Sequence, residues 1–304
     1  MADVLQPTEN WIFERMPSNR THWRRGRRRS GFTLIELFVV VSVIVVLISL
    51  FLPAVQQARE NARNIVCQSN LMQIGIALQN YSAAHTTLPP GCANATRPVL
   101  SEEKGYHVSW VVAILPFLGK RNTYEHFDFS VGVYADKNKN PRAQQIEVLS
   151  CPSAGLPFNE VGACFYAGCH HDTNAPIDID QDGVLFLNSS VTRADVADGF
   201  SQTIYVGECL PYQPNLGWAS GTRSTLRNMG SPLNATQYNY DGGLQFPDAD
   251  PDLKFVGGFG SVHNFDGANF LFGDGSVRSL SNTIDTDILQ RLANRRDGKL
   301  IPSF

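Results

Sequence analysis

The sequence predicts an α+β protein in which a long N-terminal α-helix, membrane-spanning in its lower half, packs on an antiparallel β-sheet domain. Three observations carry this reading. Phe32 to Leu52 reads FTLIELFVVVSVIVVLISLFL, an apolar run broken only by Thr33, Glu36, Ser42 and Ser49. Beyond Pro53 apolar residues recur three and four apart on an otherwise polar background: Val55, Ala58, Ala62, Ile65, then Leu71, Ile74, Leu78 and Tyr81. From Leu88 the chain turns to Pro, Gly and Asn with short apolar runs between them.

Length decides the first element. At about 1.5 Å per residue, a helix over this run spans roughly 30 Å, the thickness of a bilayer's hydrocarbon core. Strands rarely exceed about ten residues, so the richness in Val and Ile does not make it one. Pro53 should kink the helix or free a carbonyl without ending it, because the helical spacing resumes at once and runs to about Tyr81. The striped second half suits a stem that lays one face on a domain.

The later runs, Val108–Leu118, Gln145–Leu149, Gly183–Leu187, Thr203–Val206, Phe255–Val256 and Asn269–Phe272, read as short strands joined by long loops. FGDGSVRSL reads as a hairpin with Asp274 and Gly275 at its turn. Ile288, Leu289 and Leu292 mark a short helix from Asp285 to Asn294, with Asp285 as its N-cap. With 304 residues, 43% of them hydrophobic, the chain can bury a sizeable core.

Charge gives direction. The chain holds 25 Lys and Arg against 28 Asp and Glu; taking away the seven Arg and three acids of residues 1–31 leaves a clearly acidic body. An acidic body argues against nucleic-acid binding, which leaves a basic footprint. Arg24, Arg25, Arg27, Arg28 and Arg29 immediately before the apolar run should stay cytoplasmic and send the C-terminal side outward. In such an exported domain the six cysteines could form disulfides; no C-x-x-C pair stands among them, which argues against a zinc ribbon.

Glu36 is the oddity. An acid near the start of a spanning helix costs on the order of 2 to 3 kcal/mol and calls for a partner. The string RRSGFTLIELFVVVSVIVVLISLFLPAVQQARENAR resembles the N-terminus of type IV prepilins and pseudopilins: a basic leader ending in Gly, then Phe, and Glu five places into the mature chain. The resemblance implies cleavage after Gly31 by a prepilin peptidase and methylation of Phe32. It also implies that Glu36 aligns an incoming subunit with a neighbour's terminal amine. Twin-arginine export through Arg28 and Arg29 fits less well, since Glu36 interrupts the apolar region. Ordinary signal-peptidase cleavage near Ala54 fits poorly, because Leu52 and Pro53 occupy positions that need small residues.

Five further segments, CQSNLMQIGIALQNYSAAHTTLPPG, SWVVAILPFLGKRNTYEHFD, VLSCPSAG, DVADGFSQTIYVGE and GFGSVHNFDGANFLFGDGSVRSLSNTID, are similar to a large family of prepilin-like proteins ending in a "His-x9-Asp-Gly" processing-associated domain. That resemblance brings a pilin-like architecture and no biochemical activity. It divides the chain into a leader at 1–31, a transmembrane stem at 32–82 and an exported α+β domain at 83–304. The motif residues would be His263, Asp274 and Gly275, but ten residues separate His263 from Asp274, so a joint role for the two is in doubt.

The expected protein is a structural or surface subunit, anchored in the inner membrane as a single pass with its domain extracytoplasmic. It would self-associate or join other pilin-like subunits of a type II secretion or type IV pilus machine through the N-terminal helix. The alternative is an anchored binding module whose stem serves only as an anchor. No G-x-S-x-G, HExxH or phosphate-loop motif points to an enzyme. DIDQDGVLF offers Asp178, Asp180, Asp182 and Gly183, the first half of a calcium loop, though Ser189 stands where the bidentate Glu of an EF-hand would be. Calcium is therefore the one cofactor considered, against a solvated acidic turn. Cys164, Cys169, His170 and His171 are dense enough to hold a soft metal, against a disulfide or plain loop positions.

Overall fold

The computed structural model describes residues 31–154, 161–212, 215–235, 252–263 and 267–302; the leader ahead of Gly31 lies outside the described residues. Helix α1 runs from Leu34 to His85 with Pro53 inside it. Its first turn is closed by a capping box that the sequence spells as Thr33-Leu-Ile-Glu36. The Glu36 carboxylate accepts from the Thr33 amide and hydroxyl, both at 2.8 Å, and the Glu36 amide donates to Thr33 Oγ1 at 3.3 Å. Compact units divide at Pro53, residues 1–53 and 54–304, so the upper part of α1 belongs to the larger unit.

The larger unit is α+β, as expected. Strands β1 (Cys92–Ala93) and β2 (Val108–Ser109) make a small antiparallel pair. Strands β3 (Tyr166–His171), β4 (Ile204–Glu208), β5 (Leu226–Asn228), β6 (Gly267–Phe272) and β7 (Val277–Ser281) form one sheet in the order β5-β3-β4-β6-β7. Among the described strands of this sheet the pairings are antiparallel, apart from β3 with β5. The strand period of two sorts side chains between two cores. Tyr166, Val206, Leu226 and Leu271 meet Cys67, Leu71, Ile74 and Leu78 of α1. Ala167, Cys169, Ala268, Phe270 and Phe272 meet Leu289, Leu292 and Ala293 of a C-terminal helix. The sheet is thus a middle layer between two helices.

That C-terminal helix, together with its cap, matches the sequence reading: it spans Thr286–Ala293, and Asp285 accepts from the Asp287 amide at 2.9 Å. The hairpin is also as read, with Gly273 to Ser276 between β6 and β7 and Gly275 at φ +87°. Other segments differ. Val108–Leu118, read as a strand, keeps two strand residues and then winds into a helix, Trp110–Ile114, and a 3-10 turn, Leu115–Leu118. Ser109 explains the switch: it N-caps the helix by accepting from Val112 and donates to the Trp218 carbonyl at 2.7 Å. Within Gln145–Leu149 the chain makes a 3-10 turn at Glu147–Leu149, while Gly183–Leu187 and Phe255–Val256 lie outside the named strands. Along α1, Val55 and Ile65 are exposed, and the buried face starts at Cys67. The packing face is therefore rotated away from the first half of the apolar stripe.

Candidate functional site

Glu60, Arg63, Asn64, Cys67 and Gln68 recur at helical spacing along α1, and this row meets one end of the sheet. Three other segments converge there: Cys151 and Ser153 beyond the Glu147–Leu149 turn, Glu208 at the end of β4, and His263 just ahead of β6. His263 Nδ1 lies 2.6 Å from Glu60 Oε1. Ser153 Oγ donates to the same carboxylate at 2.9 Å and is 3.2 Å from His263 Nδ1. Arg63 Nε donates to Glu60 Oε2 at 2.8 Å and to Ser153 Oγ at 3.0 Å.

On its other side the imidazole faces sulfur and a second carboxylate. Nε2 is 3.7 Å from Cys151 Sγ and 3.7 Å from Glu208 Oε1, and the two sulfurs of Cys67 and Cys151 are 3.3 Å apart. Glu208 is tied down by the Asn269 amide at 2.9 Å and the Asn269 side chain at 3.0 Å. The His263 side chain is 1% exposed.

Burial opposes a charge on His263, but hydrogen bonds to Cys67 and Glu60 and the nearby Glu208 carboxylate outweigh it and raise its pKa to about 9. Burial also opposes charge on Glu60, yet the bonds from His263, Arg63 and Ser153 win and lower its pKa. The hydrogen bond with Cys151, reinforced by burial, drives the Cys67 thiol far up, so it stays protonated in this state. Chemically the cluster is a carboxylate-backed imidazole aimed at a thiol pair. Neither of two grooves on the domain is lined by Cys151 or His263.

A family model matches residues 56–287, more than half of the chain, under the description "Protein of unknown function (DUF1559)". The chain belongs to the DUF1559 family. The match begins past the apolar run, so it is independent of the N-terminal motif. No curated protein and no solved structure matches the chain.

This DUF1559 protein separates the two halves of the His/Asp-Gly motif. His263 precedes β6 and enters the buried cluster, whereas Asp274 and Gly275 follow β6 at its other end. There Asp274 accepts from the Ser276 amide at 2.8 Å and helps to line a groove of about 590 Å³ with Gln79, Thr86, Arg193 and Tyr205. Gly31 and Phe32 lie exposed immediately ahead of α1. Asp178 and Asp182 each face an arginine, Arg97 at 3.9 Å and Arg296 at 3.3 Å, and Asp182 gathers with His171 and Asp172. Asp180 is exposed at φ +57°.

Sequence reading missed Glu60, Cys67, Cys151 and Glu208 because nothing local joins residues so far apart in the chain. The Cys164–His171 segment turns out to hold β3. Cys169 packs in the core beside the C-terminal helix Thr286–Ala293, while His170 is fully buried with Nδ1 at 2.6 Å from Gln181 Oε1.

Burial pushes the His170 pKa down to about 3. The unfolded chain binds a proton near the ordinary value of about 6.5 and the fold does not, so this residue's contribution is complete above that pH and drains away as pH falls. Between pH 7 and 5 the protein should lose about 2 kcal/mol through His170 alone. In His170→Gln the acid limb of a denaturation series should flatten by that amount. An equal slope in both proteins would contradict the assignment.

Proposed function

We propose that this DUF1559 protein is a prepilin-like structural or surface subunit. In this reading a prepilin peptidase cuts after Gly31, and Phe32 becomes the N-methylated terminus. The run Phe32 to Leu52 sits in the inner membrane as a single pass, with the domain on the extracytoplasmic side. The role is structural rather than catalytic.

The observation that carries the reading is the start of α1. Gly31 and Phe32 lie just ahead of a helix that is long and apolar enough to cross a membrane, and that helix is exposed from Leu34 to Arg59. The Arg cluster just upstream would keep the scissile bond on the cytoplasmic side. A second feature supports assembly beyond anchoring: Ile65, Met72 and Ile76 stand on one face of α1 at 64%, 48% and 58% exposure. Stems packed side by side would cover that stripe. Burial of Cys151 and His263 supports the non-catalytic part, since a nucleophile must meet its substrate. The groove beside Asp274 favours, as a second reading, an anchored module that binds a ligand there.

Replacing Gly31 with Leu tests the processing step, because the peptidase needs a small residue ahead of the cut. In cells with the peptidase the wild type should be fully shortened, and Gly31→Leu should accumulate in the membrane at precursor length. Identical shortening of both proteins would contradict the proposed cleavage site.

A further inference from the structure

We propose that Cys67, Cys151 and His263 form a binding site for a thiophilic metal ion of the zinc class, held by two thiolate sulfurs and the His263 Nε2. The inference is independent of processing at Gly31.

The three donors come from separate parts of the chain, are buried, and all lie within 4.8 Å of one another. A tetrahedral ion with sulfur at about 2.3 Å and nitrogen at about 2.0 Å sets its ligands roughly 3.5 to 3.8 Å apart. The sulfur pair at 3.3 Å and the Cys151–His263 contact at 3.7 Å are close to those edges. A disulfide would use the two sulfurs but not the Nε2 that faces Cys151.

The surroundings of the imidazole point the same way. Glu60 holds Nδ1, and Ser153 and Arg63 hold Glu60. A carboxylate behind the remote nitrogen fixes a histidine's tautomer and aims its other nitrogen at a metal. Glu208, 3.7 Å from Nε2, adds negative charge beside the same position. Two sulfurs and one nitrogen select a soft or borderline ion over calcium or magnesium.

A divalent ion there would be held by two thiolates and a neutral imidazole, and any protons these groups carry would leave to solvent as it binds. An ion there would join α1 to the Cys151 loop and to the segment ahead of β6.

The test uses the full chain in detergent, kept reduced, stripped with chelator and titrated with cobalt(II). The expected result is one cobalt per chain, with sulfur-to-cobalt charge-transfer absorption in the near ultraviolet and strong visible bands, both displaced by one zinc. Cys67→Ser, Cys151→Ser and His263→Gln should each weaken cobalt at least tenfold. Glu60→Gln, which touches the metal only through His263, should weaken it by about tenfold. Cys92→Ser, a buried cysteine elsewhere, should bind as the wild type does.

Should the ligand variants fail to fold, X-ray absorption at the zinc edge of the wild-type protein should find two sulfur neighbours and at least one nitrogen. Absence of stoichiometric cobalt from the reduced wild type would overturn the proposal. So would a Cys67–Cys151 disulfide as the main form of protein isolated from cells, or a zinc shell without sulfur.

Discussion

Glu36→Gln should be inserted in the membrane as well as the wild type and yet lose stem-to-stem crosslinking. Hydrophobicity drives insertion, and removing a charge from the helix can only help it. The capping box separates the two jobs that Glu36 could do. As the third residue of α1 it accepts from Thr33, and Gln serves that purpose too. What Gln cannot supply is a charge to meet a neighbour's terminal amine, a pairing in which each ion offsets the other's burial in lipid.

Four proteins make the comparison: wild type, Glu36→Gln, Glu36→Ala and Thr33→Ala. Crosslinking through single cysteines placed on the stem should persist in wild type and Thr33→Ala and fall to background in both Glu36 variants. Retained crosslinking in Glu36→Gln would reduce Glu36 to a helix cap. The anchored binding module would then be the better account.

A large effect on stability should come from Gly183→Ala. A Cβ at this position would lie 2.4 Å from the Cys169 carbonyl oxygen and 2.5 Å from the His170 carbonyl carbon. Both are backbone atoms of β3, so no side chain can swing aside. Relief would stretch the hydrogen bond that the Gly183 amide donates to the His170 carbonyl, and those that the Val184 and Leu185 amides donate to the Cys169 carbonyl, each at 3.1 Å. It would also shift the Gly183 carbonyl that Arg295 holds at 2.6 Å.

Overpacking of this kind costs about 3 kcal/mol. Gly119→Ala is the control, since its φ of +71° carries strain but nothing lies within 4 Å of the added methyl. It should cost only about 1 kcal/mol. Denaturant midpoints with unchanged slope should report the difference. A Gly183→Ala variant as stable as the control would contradict the close approach.

The Gly183 case illustrates what could be read in advance. Its place after Asp178, Asp180 and Asp182 suggested a calcium turn or a solvated acidic turn, and neither reading contains the close approach of two backbones that the structure shows there. Patterns complete within a few residues were legible: the length of the apolar run, the FGDGS turn and the Asp285 cap each contain their own physical cause. Val108–Leu118 was misread because β-branched content outweighed one serine, and tertiary contact with Trp218 fixed Ser109 as a cap. The buried cluster was legible only as its isolated member His263. Glu60 carries no local signal, and the first strand of the sheet it meets begins more than a hundred residues later.

The mature N-terminus measures the central claim most directly. Intact-mass analysis of protein isolated from cells that contain a prepilin peptidase should give a chain beginning at Phe32 and heavier by one methyl group. Tandem fragmentation should put that methyl on the terminal amine. A chain that keeps residues 1–31, or one that begins near Val55, would contradict the prepilin account.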